Sequence, residues 1–332
     1  MTAIAVLGAG SWGTTLADLL ARKGHEVRLW AYEPEVVECV NRAHQNPLFL
    51  PDSPLAPALR AFADPGEAVA GAHILLCATP SHAARSVLGL AGKAAAADAL
   101  LVSATKGVET GTLEFMSQVA AQVLPALRFV ALSGPTFAVE VYQRQPTAIV
   151  AASTDPAASR EAQDVFATGY FRVYSNADVL GTEIGGALKN VIAIAAGVLE
   201  GLGLGNNPRA ALITRGLAEM TRLGESLGAD PRTFAGLAGM GDLILTACGA
   251  LSRNRALGMA LAQGQTLAEH TRSHRSVAEG VNTARAAVAL AARAGIELPI
   301  STKVNQLLFE GMPPRQAILE LMERTPKPEQ WT

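Results

Sequence analysis

Three glycines, Gly8, Gly10 and Gly13, constrain this chain more than any other feature. They interrupt the apolar run Ala3-Ile-Ala-Val-Leu-Gly8-Ala-Gly10-Ser-Trp-Gly13-Thr-Thr-Leu-Ala17, which then resumes with helical spacing. The pattern predicts strand, tight turn and helix. Gly8 makes the turn, Gly10 removes a side chain where phosphates would pass, and Gly13 lets helix and strand close on each other. The unpaired N–H groups at the helix start would face an anion such as a dinucleotide pyrophosphate. This spacing alone is a weak signal, but the apolar run before it and the helical pattern after it are what the motif requires. A second strand is expected over Glu26-Val-Arg-Leu-Trp-Ala-Tyr32-Glu33, ending in an acid about 20 residues past the last glycine, where a ribose hydroxyl partner belongs.

Further along, Asn41 to Pro65 is rich in proline, asparagine and aspartate and is expected to be loop. Short apolar runs follow at Ala72–Ala78, Ala99–Ala104 and Phe129–Leu132, separated by alanine-rich helical stretches, with β-like runs at Thr147–Ala152 and Tyr170–Tyr174. Such alternation predicts an α/β unit, a Rossmann-type doubly wound, mostly parallel sheet covered on both faces. From Gly181 the texture becomes helical. The expected division is a dinucleotide-binding domain over 1–180 and an all-helical substrate-binding and catalytic domain over 181–332, which suits a chain of 332 residues. A net charge of -2 gives no reason to expect nucleic acid as a partner. Cys39, Cys77 and Cys248 lie far apart without a C-x-x-C, so neither a disulfide framework nor a zinc site is indicated. The apolar start lacks a basic residue before it, and segments such as Val191 to Leu199 are short for a membrane span. The expectation is a soluble protein of the cytoplasm.

In an open parallel sheet the ligand lies beyond the carboxyl ends of the strands. The residues there include Thr79-Pro-Ser-His82, Thr105-Lys106-Gly107 and Ser133-Gly134-Pro-Thr136-Phe-Ala138. Lys106 at such an edge can charge-pair a phosphate or hydroxyl, or be a solvated surface lysine. Lys189 stands in a helical segment apolar on nearly all sides, where desolvation would move its pKa toward the working pH and make it a general acid or base. The alternative is a lysine snorkelling from a helix flank. Asp242, in Gly239-Met-Gly-Asp242, could orient Lys189, bind a substrate hydroxyl, or simply cap a helix. Ser252-Arg253-Asn254-Arg255 opens a helical pattern and reads equally as a phosphate site or as exposed arginines at a helix start. Glu279 could reach a nicotinamide or ribose, or merely complement a helix dipole. His82 is expected to be solvated. His270 and His274 have helical spacing but no third ligand and are crowded by Arg272 and Arg275, so no metal is expected.

Together these segments resemble the bacterial glycerol-3-phosphate dehydrogenase family over nearly the whole chain. The residues that carry the resemblance are Gly8-Ala-Gly-Ser-Trp-Gly-Thr, Ala104-Thr-Lys-Gly107, Ser133-Gly-Pro-Thr-Phe-Ala138, Gly186-Ala-Leu-Lys-Asn-Val-Ile-Ala193, Thr214-Arg-Gly-Leu-Ala-Glu-Met220, Gly239-Met-Gly-Asp-Leu243 and Ser252-Arg-Asn-Arg255. The resemblance implies reduction of dihydroxyacetone phosphate to sn-glycerol 3-phosphate with NADH or NADPH, for phospholipid synthesis, in a homodimer. It places Ser11, Trp12, Tyr32, Lys106, Ala138, Arg253, Val277 and Glu279 on the coenzyme. It places Lys106, Gly134, Thr136, Lys189, Asp242, Ser252, Arg253 and Asn254 around the substrate, with Lys189 as the proton acceptor. Two positions depart from the family pattern. Val139 stands where lysine is usual and is given no site role, and Tyr32 replaces histidine or arginine. Glu33 leans toward NAD and Arg28 toward NADP, so the coenzyme stays open. β-Hydroxyacid dehydrogenases, which share a fold and a lysine of this kind, are the enzyme alternative; their acid substrates leave the Ser252-Arg253-Asn254 clamp unexplained. A non-catalytic dinucleotide sensor would have no need of Lys189.

Overall fold

The computed structural model describes residues 1–273, 278–326 and 328–329. Its strands are β1 (Ala3–Leu7), β2 (Glu26–Trp30), β3 (Arg60–Phe62), β4 (Ile74–Cys77), β5 (Leu100–Ser103), β6 (Val108–Glu109), β7 (Glu114–Phe115), β8 (Arg128–Ser133), β9 (Thr147–Ala152) and β10 (Phe171–Asn176). Eight of them form one sheet in the order β10-β9-β8-β5-β4-β1-β2-β3, while β6 and β7 make a separate antiparallel hairpin. The expected Rossmann-type sheet is therefore present. Its pairings are parallel except between β8 and β9, which run antiparallel with Leu132 opposite Ala151.

Burial explains why the central strands read as unbroken apolar runs. Ile4 and Val6 of β1 enter one core and Ala5 and Leu7 the other, because helices cover both faces of the sheet. Each buried leucine or isoleucine stabilises the fold by about 1.5–3 kcal/mol relative to exposure. The stretch expected to be loop contains β3, a correction to the reading of Asn41 to Pro65. Three residues suffice because Asn41 clamps Ala61, its amide donating to the Ala61 carbonyl at 2.9 Å and its Oδ1 accepting the Ala61 N–H at 2.9 Å.

After β10 the described residues are helical. At the centre runs the helix Val179–Gly201, long and apolar enough to cross a membrane; the reading of short apolar segments underestimated it. Its most apolar stretch is 83% buried inside the protein, so its hydrophobicity is spent on neighbouring helices. One neighbour, Arg253–Ala262, approaches through glycines. A Cβ on Gly197 would lie 2.0 Å from the Arg255 carbonyl oxygen, and one on Gly258 2.0 Å from that of Ile194. Backbone contact thus sets where the start of Arg253–Ala262 stands beside Lys189. The β6–β7 hairpin crosses from the sheet, and its Val108 and Phe115 pack into the same core as Ile184, Ala187 and Leu188 of the central helix.

Candidate active site

The turn after β1 has the shape its glycines predict. Gly8 adopts φ +114°, and a Cβ there would lie 2.9 Å from the Ala78 carbonyl oxygen; one on Gly13 would lie 1.9 Å from that of Gly8. Gly10 differs, because nothing stands within 4 Å of its missing Cβ. It also caps the helix Ser11–Arg22 without a side chain, so the first helical N–H groups open onto that space. The indole Nε1 of Trp12 is buried with no partner. Space and free backbone donors fit the pyrophosphate end of a dinucleotide. Gly10→Val is accordingly expected to keep the wild-type thermal midpoint while weakening coenzyme binding by about tenfold or more, as read by fluorescence titration. Gly13→Ala is expected to lose about 1–3 kcal/mol of stability by overpacking against backbone.

The other coenzyme candidates lie along the same edge. Ser11 Oγ donates to the Phe49 carbonyl at 2.5 Å, and the Ala138 carbonyl accepts from Thr15 Oγ1 at 3.2 Å. Tyr32 is 81% exposed just beyond β2, beside the half-buried Glu33. Arg28 is directed elsewhere. Its guanidinium donates to Glu26, at the start of β2, and to the Ala70 carbonyl.

Four residues from three separate stretches of the chain meet at the junction of sheet and helices. Lys189 Nζ donates to Asp242 Oδ1 and, at 2.9 Å, to Thr246 Oγ1. Lys106 Nζ donates to Asp242 Oδ2 at 2.7 Å and to the Gly134 carbonyl at 2.9 Å, with Thr136 Oγ1 at 3.4 Å. Asp242 is fully buried and Lys189 only 6% exposed, so the snorkelling and solvated readings of the two lysines both fail. Burial pushes the Lys189 ammonium down to about 7. The Asp242 carboxylate opposes that shift and the Lys106 charge adds to it. One carboxylate is thus shared by two amines and offsets only part of the desolvation of Lys189.

Asp242 follows a π-helical turn, Leu237–Gly241, and begins the helix Asp242–Cys248; no side-chain cap is made there, so the capping alternative also fails. Gly134 adopts φ +151°, a conformation that suits glycine, and thereby presents its carbonyl to Lys106.

Ser252 caps the helix Arg253–Ala262, its Oγ accepting the Arg255 N–H at 3.2 Å. Arg253 is exposed beside that cap, whereas Arg255 is bound to Glu200. Asn254 is buried and braced, its Nδ2 donating to Asn190 Oδ1 at 2.8 Å and its Oδ1 accepting the Gly280 N–H at 3.0 Å. Glu279 starts a helix and accepts from Ser81 Oγ at 3.3 Å; burial pushes its carboxyl up to about 7, with the Arg253 charge pulling it back. His82 is exposed, and Val277 and His274 lie outside the described residues. Sequence reasoning missed Thr246 and Asn190. The first stands one turn after Asp242 and the second directly follows Lys189, so helical spacing around each acid and amine was the available signal.

Two family models cover most of the chain: the N-terminus of NAD-dependent glycerol-3-phosphate dehydrogenase matches residues 3–159 and its C-terminus residues 178–319. Glycerol-3-phosphate dehydrogenase [NAD(P)+] of Geobacter metallireducens is 57% identical over 329 residues, 98% of each chain. This chain belongs to the NAD-dependent glycerol-3-phosphate dehydrogenase family. Its counterpart in Geobacter sulfurreducens is also 57% identical, over 99% of each chain. The crystal structure of glycerol-3-phosphate dehydrogenase from Coxiella burnetii superimposes with a TM-score of 0.94 at 40% identity, covering 97% of this chain and 98% of that one. The glycerol-3-phosphate dehydrogenase family reduces dihydroxyacetone phosphate to glycerol 3-phosphate with NAD(P)H.

Proposed function

We propose that this enzyme reduces dihydroxyacetone phosphate to sn-glycerol 3-phosphate with Lys189 as the proton donor, returning the proton to Lys189 in the reverse direction. The observation that carries this reading is the buried cluster of Lys189, Lys106, Asp242 and Thr246 at the sheet edge, next to the glycine cradle. When bound, the dihydronicotinamide supplies a hydride to C2 of the substrate. Lys189 protonates the oxygen as charge develops there, and Lys106 lends a second positive charge to the same oxygen. Asp242 and Thr246 hold the Lys189 ammonium in place, and Gly134 and Thr136 do so for Lys106. Arg253 and the capped helix start at Ser252 take the phosphate, with the second amide hydrogen of Asn254 beside them. Ser11, Trp12, Tyr32, Ala138, Glu279 and Val277 complete the coenzyme side. The N-terminal 180 residues thus carry most of the coenzyme contacts and lend Lys106, Gly134 and Thr136 to the substrate, while residues 181–332 supply the proton donor and the phosphate site and lend Val277 and Glu279 to the coenzyme.

With Arg28 turned toward the start of β2, Glu33 stands at the ribose edge without a cation among its hydrogen-bonded neighbours. NADH is expected to show the higher kcat/KM. The test is absorbance of the reduced nicotinamide with dihydroxyacetone phosphate, NADH against NADPH, and a hydroxyacid as control. Turnover of the hydroxyacid alone would overturn the substrate assignment. The family resemblance supports reading the enzyme as a cytoplasmic homodimer serving phospholipid synthesis; light scattering tests the assembly.

A further inference from the structure

Glu183 lies on the central helix, about 9 Å along its axis from Lys189 at 1.5 Å per residue. It is 7% exposed, and its partner is across the junction. One carboxylate oxygen accepts the Ser117 backbone N–H at 2.8 Å and the other accepts Ser117 Oγ at 2.6 Å. Ser117 is the second residue of the helix Met116–Val123, whose capping position is Phe115, a side chain with no oxygen. Gln118 Oε1 accepts the Phe115 N–H at 2.9 Å, and the acceptor for the Ser117 N–H comes from the other half of the protein.

What Ser117 is joined to gives this contact its consequence. Lys106 and Ser117 flank the β6–β7 hairpin, one just before it and one just after. The hairpin is stiffened from outside by Arg85, which donates to Glu109 at 2.9 Å and to Glu114 at 2.6 Å. On its inner side Val108 and Phe115 are buried against the central helix. Because Val108 pairs with Phe115, Lys106 and the pinned Ser117 both leave the hairpin at its open end, and the pairing carries the position of the central helix to the Lys106 backbone.

We propose that Glu183 is a positioning residue for the reaction: by holding Ser117 it fixes the Lys106 ammonium on Asp242, opposite Lys189. The inference rests on the roles given to Lys106 and Lys189 above. Burial pushes the Glu183 carboxyl up to about 7, against the two Ser117 bonds. A neutral acceptor can therefore replace it with little electrostatic loss, and glutamine offers an oxygen for the N–H and an amide for Oγ.

The experiment is a double-mutant cycle. Glu183→Ala is expected to lower kcat for reduction by about 10- to 100-fold, the scale of a displaced catalytic group, with KM for NADH within about twofold because the glycine cradle is untouched. Glu183→Gln is expected to restore most of kcat. In the Lys106→Ala background, Glu183→Ala is expected to cost almost nothing further, since its effect travels through Lys106. Fully additive losses, or an alanine variant with wild-type kcat, would overturn the proposal. If Glu183→Ala does not fold by thermal unfolding, Ser117→Ala carries the same cycle, with the same two outcomes deciding. Wild-type turnover in both Lys106→Ala and Lys189→Ala would instead sink the parent reading. Large losses in those two variants combined with additivity at Glu183 would sink only this inference.

Discussion

Lys189→Met is expected to lower kcat for dihydroxyacetone phosphate reduction by about 10³- to 10⁴-fold, within the range for loss of a positioned general acid and its charge. Coenzyme affinity, measured by fluorescence titration, is expected to stay within about twofold. Methionine suits the test because it nearly matches the lysine stem in volume and Asp242 keeps Lys106 as a partner, so no buried carboxylate is stranded. The pH profile supplies an independent reading. In the proposed mechanism reduction needs Lys189 protonated, and burial pushes its pKa down to about 7, so the wild-type rate should fall as pH rises through that value, while the oxidation rate should rise. In the methionine variant both dependences should vanish from the residual rate. A variant that turns over like the wild type would remove Lys189 from the chemistry.

Asp242→Asn is the second large effect, expected at about 10²- to 10³-fold in kcat near pH 7.5. Asp242 is fully buried between two amines, and its carboxylate opposes the desolvation that lowers the Lys189 pKa. With the negative charge gone, that pKa moves below the wild-type value, and less of Lys189 carries a proton at a given pH. The reduction profile should therefore shift to lower pH and recover part of its rate there. Oxidation, which needs the neutral amine, should be less affected. The variant should also lose about 3–5 kcal/mol of stability, because removing one member of a buried ionic set leaves the others uncompensated. Chemical denaturation measures that loss, and an unmoved pH profile would refute the electrostatic role given to the carboxylate.

The parts of the enzyme legible from its sequence were those whose signal is local. Gly8, Gly10 and Gly13 announce themselves because a strand, a turn and a helix adjoin them directly. Lys189 stood out because a cation in an apolar helix is anomalous on its own. The π-helical turn before Asp242 and the antiparallel pairing of β8 with β9 left no such trace, since both depend on what packs against them. The same holds for β3, whose three residues pair with β2 while Asn41, 20 positions away, binds the outer edge of Ala61. The sequence marks the Lys189 helix as apolar on nearly all sides and Asp242 as one residue that could orient the amine, but not Thr246. The apolar helix faces supply the desolvation, while Asp242 and Thr246 bring the compensating oxygens from a helix more than 50 residues downstream. Motif Thr214–Met220 resembled the family but suggested no role. In the fold its Glu219 accepts the N–H groups of Ile300 and Ser301 and so secures the start of the helix Pro299–Phe309, a function invisible until that helix is placed.

The β6–β7 hairpin bears on how this enzyme can be recombined with its relatives. Val108 and Phe115 come from the coenzyme-binding half of the chain yet are interior residues of the other half. A chimera spliced near residue 180 would graft one parent's plug into another parent's socket. Exchanges that carry residues 108–115 together with the central helix keep that fit, and a fragment ending before the helix would display both side chains to water and invite aggregation.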